Sequence, residues 1–371
     1  LPAIKAAADR DEVWARDGGF WKWRELLPLK DAANCIQLGE IDTPLIDVPV
    51  AAKAFGFDGC LIVKDDSRLP TGSFKARGLG VAVSMAKELG VTRIAMPTNG
   101  NAGSALAAYG KRGGIECFAF CPDETPNVNV QEIAMQGARV WRVNGLIDDC
   151  GKIVAGGKDA VGWFDISTLK EPYRAEGKKT LGLELTAQMG WQVPDAIFFP
   201  TGGGTAVVGM WKAFNELEAL GWIGSKRPKM FIAQSDGCAP LVKAFDEGEK
   251  HAARWEGAHT TAAGIRVPQA VGDFIVLDIV RTSGGKAYAV PEEEIGEATS
   301  AVGAKEGLLI CPEAGACFGA LSRAVADGLI TGDDTVMIVN SGSGLKYEMP
   351  DTAGRVDRTK PIDYDAIIAS K

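Results

Sequence analysis

The sequence predicts an α/β protein built as two open, twisted αβ lobes. Three observations carry this. Short β-branched and aromatic runs alternate with amphipathic stretches of helical length, the pattern of a parallel sheet covered by helices. Several helical stretches begin beside a Gly, Ser, Thr or Pro and stop at a Gly, as at Gly90 and Gly113. A chain of 371 residues, 46% hydrophobic and 24% charged, is long enough for one large core or two moderate ones.

Taken in order, strands are expected at Leu61 to Val63, Arg93 to Met96, Cys117 to Phe120, Val140 to Val143, Ala196 to Phe199, Met230 to Gln234, Phe274 to Leu277 and Val336 to Asn340. Between them the spacing predicts helices over Phe74 to Leu89, Ala102 to Arg112, Thr180 to Met189, Thr205 to Leu220 and Glu292 to Glu306. No repeat period or low-complexity tract interrupts this order. The alternation stops near the end, so residues 351–371 are expected to form a C-terminal tail lying on the surface.

Forty-eight acidic against 40 basic residues leave a net charge of −8, which argues against nucleic acid or an anionic membrane as the main partner. A bound anion then needs local help. The eight cysteines are scattered without a C-x-x-C pair and accompany only two histidines, so we expect reduced thiols, mostly in the core, and no metal. No apolar run approaches the roughly 18 residues of a membrane span, and no charged-then-apolar signal pattern opens the sequence. A cytoplasmic location is expected.

Four segments concentrate chemistry. In Pro70-Thr71-Gly72-Ser73-Phe74-Lys75-Ala76-Arg77-Gly78 a turn leads into a helix and puts Lys75 in its first turn. The positive end of the helix dipole disfavours an ammonium there, which lowers the lysine's pKa and suits it to imine chemistry. Taken alone, a solvated surface lysine is the commoner reading. The second segment, Thr201-Gly202-Gly203-Gly204-Thr205, joins an apolar strand to a helix. Its glycines let backbone N–H groups approach an anion at a helix N-terminus, although a structural tight turn fits equally well. It lacks the G-x-G-x-x-G and G-x-x-x-x-G-K-[ST] spacings of dinucleotide and ATP sites.

The third segment, Pro97-Thr98-Asn99-Gly100-Asn101-Ala102-Gly103-Ser104, also opens a helix; it reads as a capping turn or as a cradle for a substrate carboxylate, with Thr98, Asn99 and Gly100 as the donors. The fourth, Asn340-Ser341-Gly342-Ser343-Gly344-Leu345-Lys346, offers a hydroxyl where ligands bind in open α/β folds, at the carboxyl edge of a sheet.

In this order and spacing the four segments resemble the fold-type II, tryptophan synthase β-like, pyridoxal-phosphate enzymes. The resemblance implies a cofactor, pyridoxal 5′-phosphate, lying between the lobes. It makes Lys75 the Schiff-base lysine, puts Asn101 beside the cofactor's 3′-oxygen, and gives the 5′-phosphate to Gly202, Gly203, Gly204 and Thr205. Ser341 falls to the pyridine nitrogen, where a neutral partner leaves the ring largely unprotonated. The implied division is a large lobe of residues 1–64 and 178–350, and a small lobe of residues 65–177 carrying the lysine.

Within that family, Trp21-Lys22-Trp23-Arg24-Glu25-Leu26-Leu27-Pro28, then Leu38-Gly39-Glu40-Ile41-Asp42-Thr43-Pro44-Leu45, is similar to the entry segment of threonine synthases. Pro172-Tyr173-Arg174-Ala175-Glu176-Gly177-Lys178-Lys179-Thr180 is similar to their N-P-Y-R-x-E-G-Q-K-T. That branch makes threonine and phosphate from O-phosphohomoserine and water by γ-elimination and β-addition. Arg174, with Lys179, is the implied holder of the substrate's phosphate. Three departures touch the substrate end: Ala76 where the branch has Asp, Glu171 where it has Asn, and Ser343 where it has His; the late segment Cys311-Pro312-Glu313-Ala314-Gly315-Ala316 also differs from the branch's E-P-A-S-A. Three alternatives therefore stand beside threonine synthase: a threonine or serine ammonia-lyase, a β-replacement synthase, and a non-catalytic binding protein on the same fold. The expected partners are a small amino-acid substrate and a second copy of the chain, since a homodimer is the default soluble assembly.

Overall fold

The computed structural model describes residues 8–349 and 353–369. Its strands are β1 (Leu45–Asp47), β2 (Cys60–Asp65), β3 (Arg93–Pro97), β4 (Glu116–Pro122), β5 (Arg139–Val143), β6 (Phe164–Asp165), β7 (Ala196–Pro200), β8 (Lys229–Ser235), β9 (Ala287–Val290) and β10 (Thr335–Asn340). They form two sheets, one ordered β1-β2-β10-β7-β8-β9 and one ordered β5-β4-β3-β6. Every pairing is parallel except β1 with β2. Helices cover the central strands on both faces, so β7 reads Ala-Ile-Phe-Phe-Pro without a polar residue and is buried throughout. Phe198 of β7 stacks on Phe231 of β8 with centroids 4.5 Å apart.

Helix packing sets the position of the site. The helix Lys75–Glu88 is buried from Ala76 to Ala86, which a run of Gly, Ala, Val and Leu permits. It crosses the helix Tyr173–Gln188 where Gly177 meets Arg77; a Cβ on Gly177 would lie 2.2 Å from the Arg77 carbonyl oxygen, so only glycine allows this approach. Ordered loops leave the carboxyl ends of β3, β7 and β10 and turn toward the same space, as expected for ligand-binding edges of parallel sheets.

Sequence and structure differ at several elements. Residues 274–277 are not a strand but part of the helix Asp273–Thr282. Four apolar residues in a row suited a buried strand, yet Val276, Leu277, Ile279 and Val280 are buried while Phe274 is 41% exposed, a helical period visible only with the following turn included. The helix expected from Thr180 begins seven residues earlier, at Tyr173. Glu171 is the reason: its carboxylate accepts from the backbone N–H groups of Tyr173, at 2.6 Å, and Arg174, satisfying the helix's free donors. The expected lobe boundary at residues 177 and 178 therefore falls inside a continuous helix. β1, β6 and β9 are short strands that no periodicity announced. The eight cysteines form no disulfide. In the described part of the tail, residues 353–368 are exposed apart from half-buried Ile362, and the short helix Tyr364–Ala369 closes it; residues 351, 352, 370 and 371 lie outside the described residues.

Candidate active site

A cavity of about 660 Å³ lies between the two sheets. Its wall includes Lys75, Thr98, Asn99, Gly100, Asn101, Arg174, Gly202, Gly203, Gly204, Thr205 and Ser341, all but one of the residues singled out in the sequence. The exception is Lys179. Its ammonium is spent on Glu176 at 2.7 Å, Glu216 at 2.8 Å and the Leu26 carbonyl, away from the cavity.

Lys75 opens its helix, as expected, with Nζ 4.3 Å from the centre of the Phe74 ring and no hydrogen bond or ion pair among the described residues. Its pKa is lowered to about 8. Burial is the main cause and the Arg174 guanidinium the second, against an opposing pull from Glu313. The direction matches the dipole argument from sequence, but desolvation dominates.

The segment after β10 is stitched to the lysine turn. Phe74 N–H donates to the Ser341 carbonyl at 3.0 Å, Ser343 N–H donates to the Gly72 carbonyl at 2.9 Å, and Ser73 bridges Gly342. Thr71 in that turn has φ of 60°, a strained value for a β-branched residue held beside a cavity. Asn101 closes the ring of residues: its Nδ2 donates to the Tyr347 hydroxyl at 3.3 Å, and its Oδ1 accepts from Asn129 at 3.1 Å. Thr98 spends its hydroxyl on the turn, accepting from Gly100 N–H at 3.0 Å and Gly103 N–H at 2.8 Å. Gly100 has φ of 128° and a Cβ there would strike Asn129, so the turn requires glycine.

The glycine loop ends at Gly204, which caps the helix Thr205–Leu220 with φ of 76°; a Cβ there would lie 2.2 Å from Val276. No side chain caps that helix, and Gly204, Thr205 and Ala206 line the cavity, so its N-terminus is chemically suited to an anion.

Arg174 is 3% exposed; Nη1 donates to the Ile166 carbonyl at 3.1 Å while Nε has no partner. It forms no ion pair among the described residues, and burial lowers its pKa against the pull of Glu171 and Asp165. Three further buried atoms on the same wall lack partners, Asn99 Oδ1, Asp148 Oδ1 and Glu313 Oε2. A flat, phosphate-bearing ring fits this donor set: an amine for a carbonyl carbon, a glycine-lined helix N-terminus for a phosphate, and orphaned polar atoms awaiting partners.

Four residues escaped sequence reasoning: Lys178, Glu313, Tyr347 and Cys311. Lys178 lines the cavity in Lys179's stead, because four residues on from Arg174 returns to the same helix face and five does not. Glu313, 2% exposed, accepts from Tyr347 O–H at 2.7 Å and from Gly264 N–H at 2.6 Å. Cys311 Sγ lies 3.5 Å from Ser341 Oγ, and burial together with Glu313 pushes its thiol up. Helical phase was the available signal for Lys178; for Glu313 it was the altered segment beginning at Cys311; for Tyr347 there was none.

Comparison with known proteins agrees with this geometry. Residues 36–342 match the family described as pyridoxal-phosphate dependent enzyme, and the chain belongs to that family. Its relatives include the threonine synthase of Methanocaldococcus jannaschii, 35% identical over 98% of this chain and 88% of that protein. The threonine synthase of Methanosarcina acetivorans is 35% identical over 91% of this chain and 82% of its own length. Among solved structures, a pyridoxal 5′-phosphate-dependent aspartate racemase superposes with a TM-score of 0.71, covering 82% of this chain and 90% of its own; at 23% identity it speaks to the fold alone.

Proposed function

We propose that the protein is a threonine synthase, turning O-phosphohomoserine and water into threonine and inorganic phosphate. Arg174 carries the reading: a buried guanidinium, unpaired and with Nε unpartnered, on the wall that also holds Lys75. Such a group binds a phosphate by charge-assisted, bidentate hydrogen bonds, whereas an unphosphorylated hydroxyamino acid leaves it uncompensated. The relatives named threonine synthase support the same choice.

The glycine loop with Thr205 holds the cofactor's phosphate, Asn101 its 3′-oxygen and Ser341 its ring nitrogen. Pyridoxal phosphate bound here supplies the electron sink that lets the substrate's carbons lose protons. The turn formed by Thr98, Asn99 and Gly100 takes the substrate carboxylate, the Thr98 hydroxyl and the Gly100 N–H holding that turn in shape, and Arg174 takes the phosphate, which fixes the carbons between them over Lys75. With a pKa of about 8, the Lys75 amine accepts and returns protons near neutral pH when it is free. We further infer two lobes, residues 1–64 with 178–350 and residues 65–177, sharing the helix Tyr173–Gln188, and a homodimer working in the cytoplasm. Among the described residues, no helix is long and apolar enough to cross a membrane.

The test is product analysis with purified protein. Phosphate and threonine released together from O-phosphohomoserine are expected, with the cofactor's lysine-bound absorbance lost in Lys75→Ala. Release of 2-oxobutyrate from threonine, with O-phosphohomoserine untouched, replaces the reading with an ammonia-lyase.

A further inference from the structure

Beside Lys75 the cavity holds a second buried amine. Lys178 Nζ lies 3.6 Å from the centre of the same Phe74 ring over which Lys75 Nζ sits at 4.3 Å. Lys178 is 1% exposed, and among the described residues its one hydrogen-bond acceptor is the carbonyl oxygen of Phe74, the residue before Lys75. Its stem is locked where three helices meet. A Cβ on Gly78 would lie 3.0 Å from its Cε, and one on Gly209 would lie 2.7 Å from its Cβ. The glutamine of the threonine-synthase motif has no basic nitrogen, so lysine at this position adds a group that takes up and gives back a proton.

The surroundings decide the protonation. Lys75 and Arg77 face Lys178 from the helix Lys75–Glu88, Arg174 lies one turn back on its own helix, and Asp66 is the opposite charge acting on it. The helix Thr205–Leu220 presents Gly209 to it, while that helix's Lys212 and Glu216 are engaged with Glu176 and Lys179. Asp66 itself is held by Arg77 at 2.8 Å. Burial and the neighbouring Lys75 push the Lys178 pKa well down, so the two amines do not both carry a proton readily.

We propose that Lys178 is the proton partner of Lys75, accepting the proton Lys75 releases before it reacts as a free amine and returning it afterwards. Each transfer moves one proton from one Nζ to the other and breaks no other bond. The inference rests on Lys75 being the cofactor lysine. A different role, a fixed cation for a phosphate, requires only charge.

The experiment uses the holoenzymes of wild type, Lys178→Gln and Lys178→Arg, each checked for native circular dichroism. Lys178→Gln is expected to keep the cofactor bound, to move the midpoint of the cofactor band's pH titration upward by about one unit, and to lower kcat about 100-fold with KM nearly unchanged. Lys178→Arg supplies a fixed charge without a usable proton, so it is expected not to restore kcat. Restoration by arginine, with cofactor affinity lost in the glutamine variant, overturns the proposal in favour of a phosphate anchor. An unchanged titration with wild-type kcat in Lys178→Gln also overturns it, and that titration decides alone if the arginine variant does not fold. A wild type that takes up no cofactor on Lys75 overturns the underlying reading instead.

Discussion

Arg77 and Glu184 meet at 2.8 Å between Nη1 and Oε2 with neither side chain exposed. Glu184 also takes the Lys64 ammonium at 2.5 Å and the Thr43 backbone N–H at 2.8 Å, while Arg77 holds Asp66 at 2.8 Å. This network bolts the helix that begins at Lys75 to the helix that carries Arg174 and Lys178. The rigidity of the cavity's amine side therefore rests on charges that never touch a ligand.

Glu184→Ala is expected to lose about 3–5 kcal/mol, because it strands the buried Lys64 ammonium and leaves the buried Arg77 with Asp66 alone. Denaturant unfolding measures it. Burial alone raises the Glu184 carboxyl, but Arg77 and then Lys64 outweigh it and bring the pKa from 4.5 to about 2. A depressed acid stabilises the fold fully above its unfolded value, so the contribution is complete above about pH 4.5 and disappears as the pH falls through about 2. A wild-type acid-unfolding profile in Glu184→Ala sinks this account.

In cofactor-free protein, an amine reagent is expected to label Lys75 with a midpoint near pH 8 rather than at the ordinary 10.5. Arg174→Gln moves that midpoint up and Glu313→Gln moves it down, since the first removes a like charge and the second an opposite one. Between about pH 8 and 10.5 the unfolded chain holds this proton and the folded chain does not, so stability rises with pH there; below pH 8 the penalty is complete. Shifts of the same sign in both variants contradict the electrostatic explanation.

The turns legible in the sequence are those whose backbone conformation is written in their residue types. Gly202, Gly203 and Gly204 follow a fully apolar strand, and Thr98 to Asn101 follow one that is apolar after Arg93, so strand, turn and helix N-terminus were readable together. Lys179 misled because a motif fixes the order of residues but not which of two adjacent lysines faces inward; that depends on helical phase, hence on a helix start set by Glu171. Glu313 and Tyr347 stayed hidden because their meaning is a contact between residues 34 positions apart. The short strands β1, β6 and β9 owe their existence to neighbours rather than to their own two to four residues.

Arg174→Gln is expected to raise KM for O-phosphohomoserine about 10- to 100-fold, the loss of a charge-assisted hydrogen bond worth about 1.5–3 kcal/mol. The parent fold survives the change, because Arg174 donates only to the Ile166 carbonyl and holds no carboxylate among the described residues. Steady-state kinetics decides it. Unchanged KM with an unchanged kcat removes Arg174 from the substrate's phosphate.

Glu313→Ala tests how Asn101 is aimed. Glu313 accepts the Tyr347 hydroxyl at 2.7 Å, and that hydroxyl accepts from Asn101 at 3.3 Å, so the carboxylate fixes the tyrosine's proton and leaves its lone pairs for the asparagine. Without Glu313 the hydroxyl is free to turn its proton toward Asn101 and lose that bond. The cost is the loss of about one hydrogen bond's worth of positioning, roughly 1 kcal/mol, which weakens pyridoxal phosphate binding about fivefold. Tyr347→Phe reaches the same endpoint by removing the hydroxyl. The double variant should then bind no worse than either single one, because all three break the same link. Fluorescence titration with pyridoxal phosphate reads the three affinities. Fully additive losses mean that Glu313 and Tyr347 act on the cofactor separately, with Glu313 touching it through the oxygen that has no protein partner.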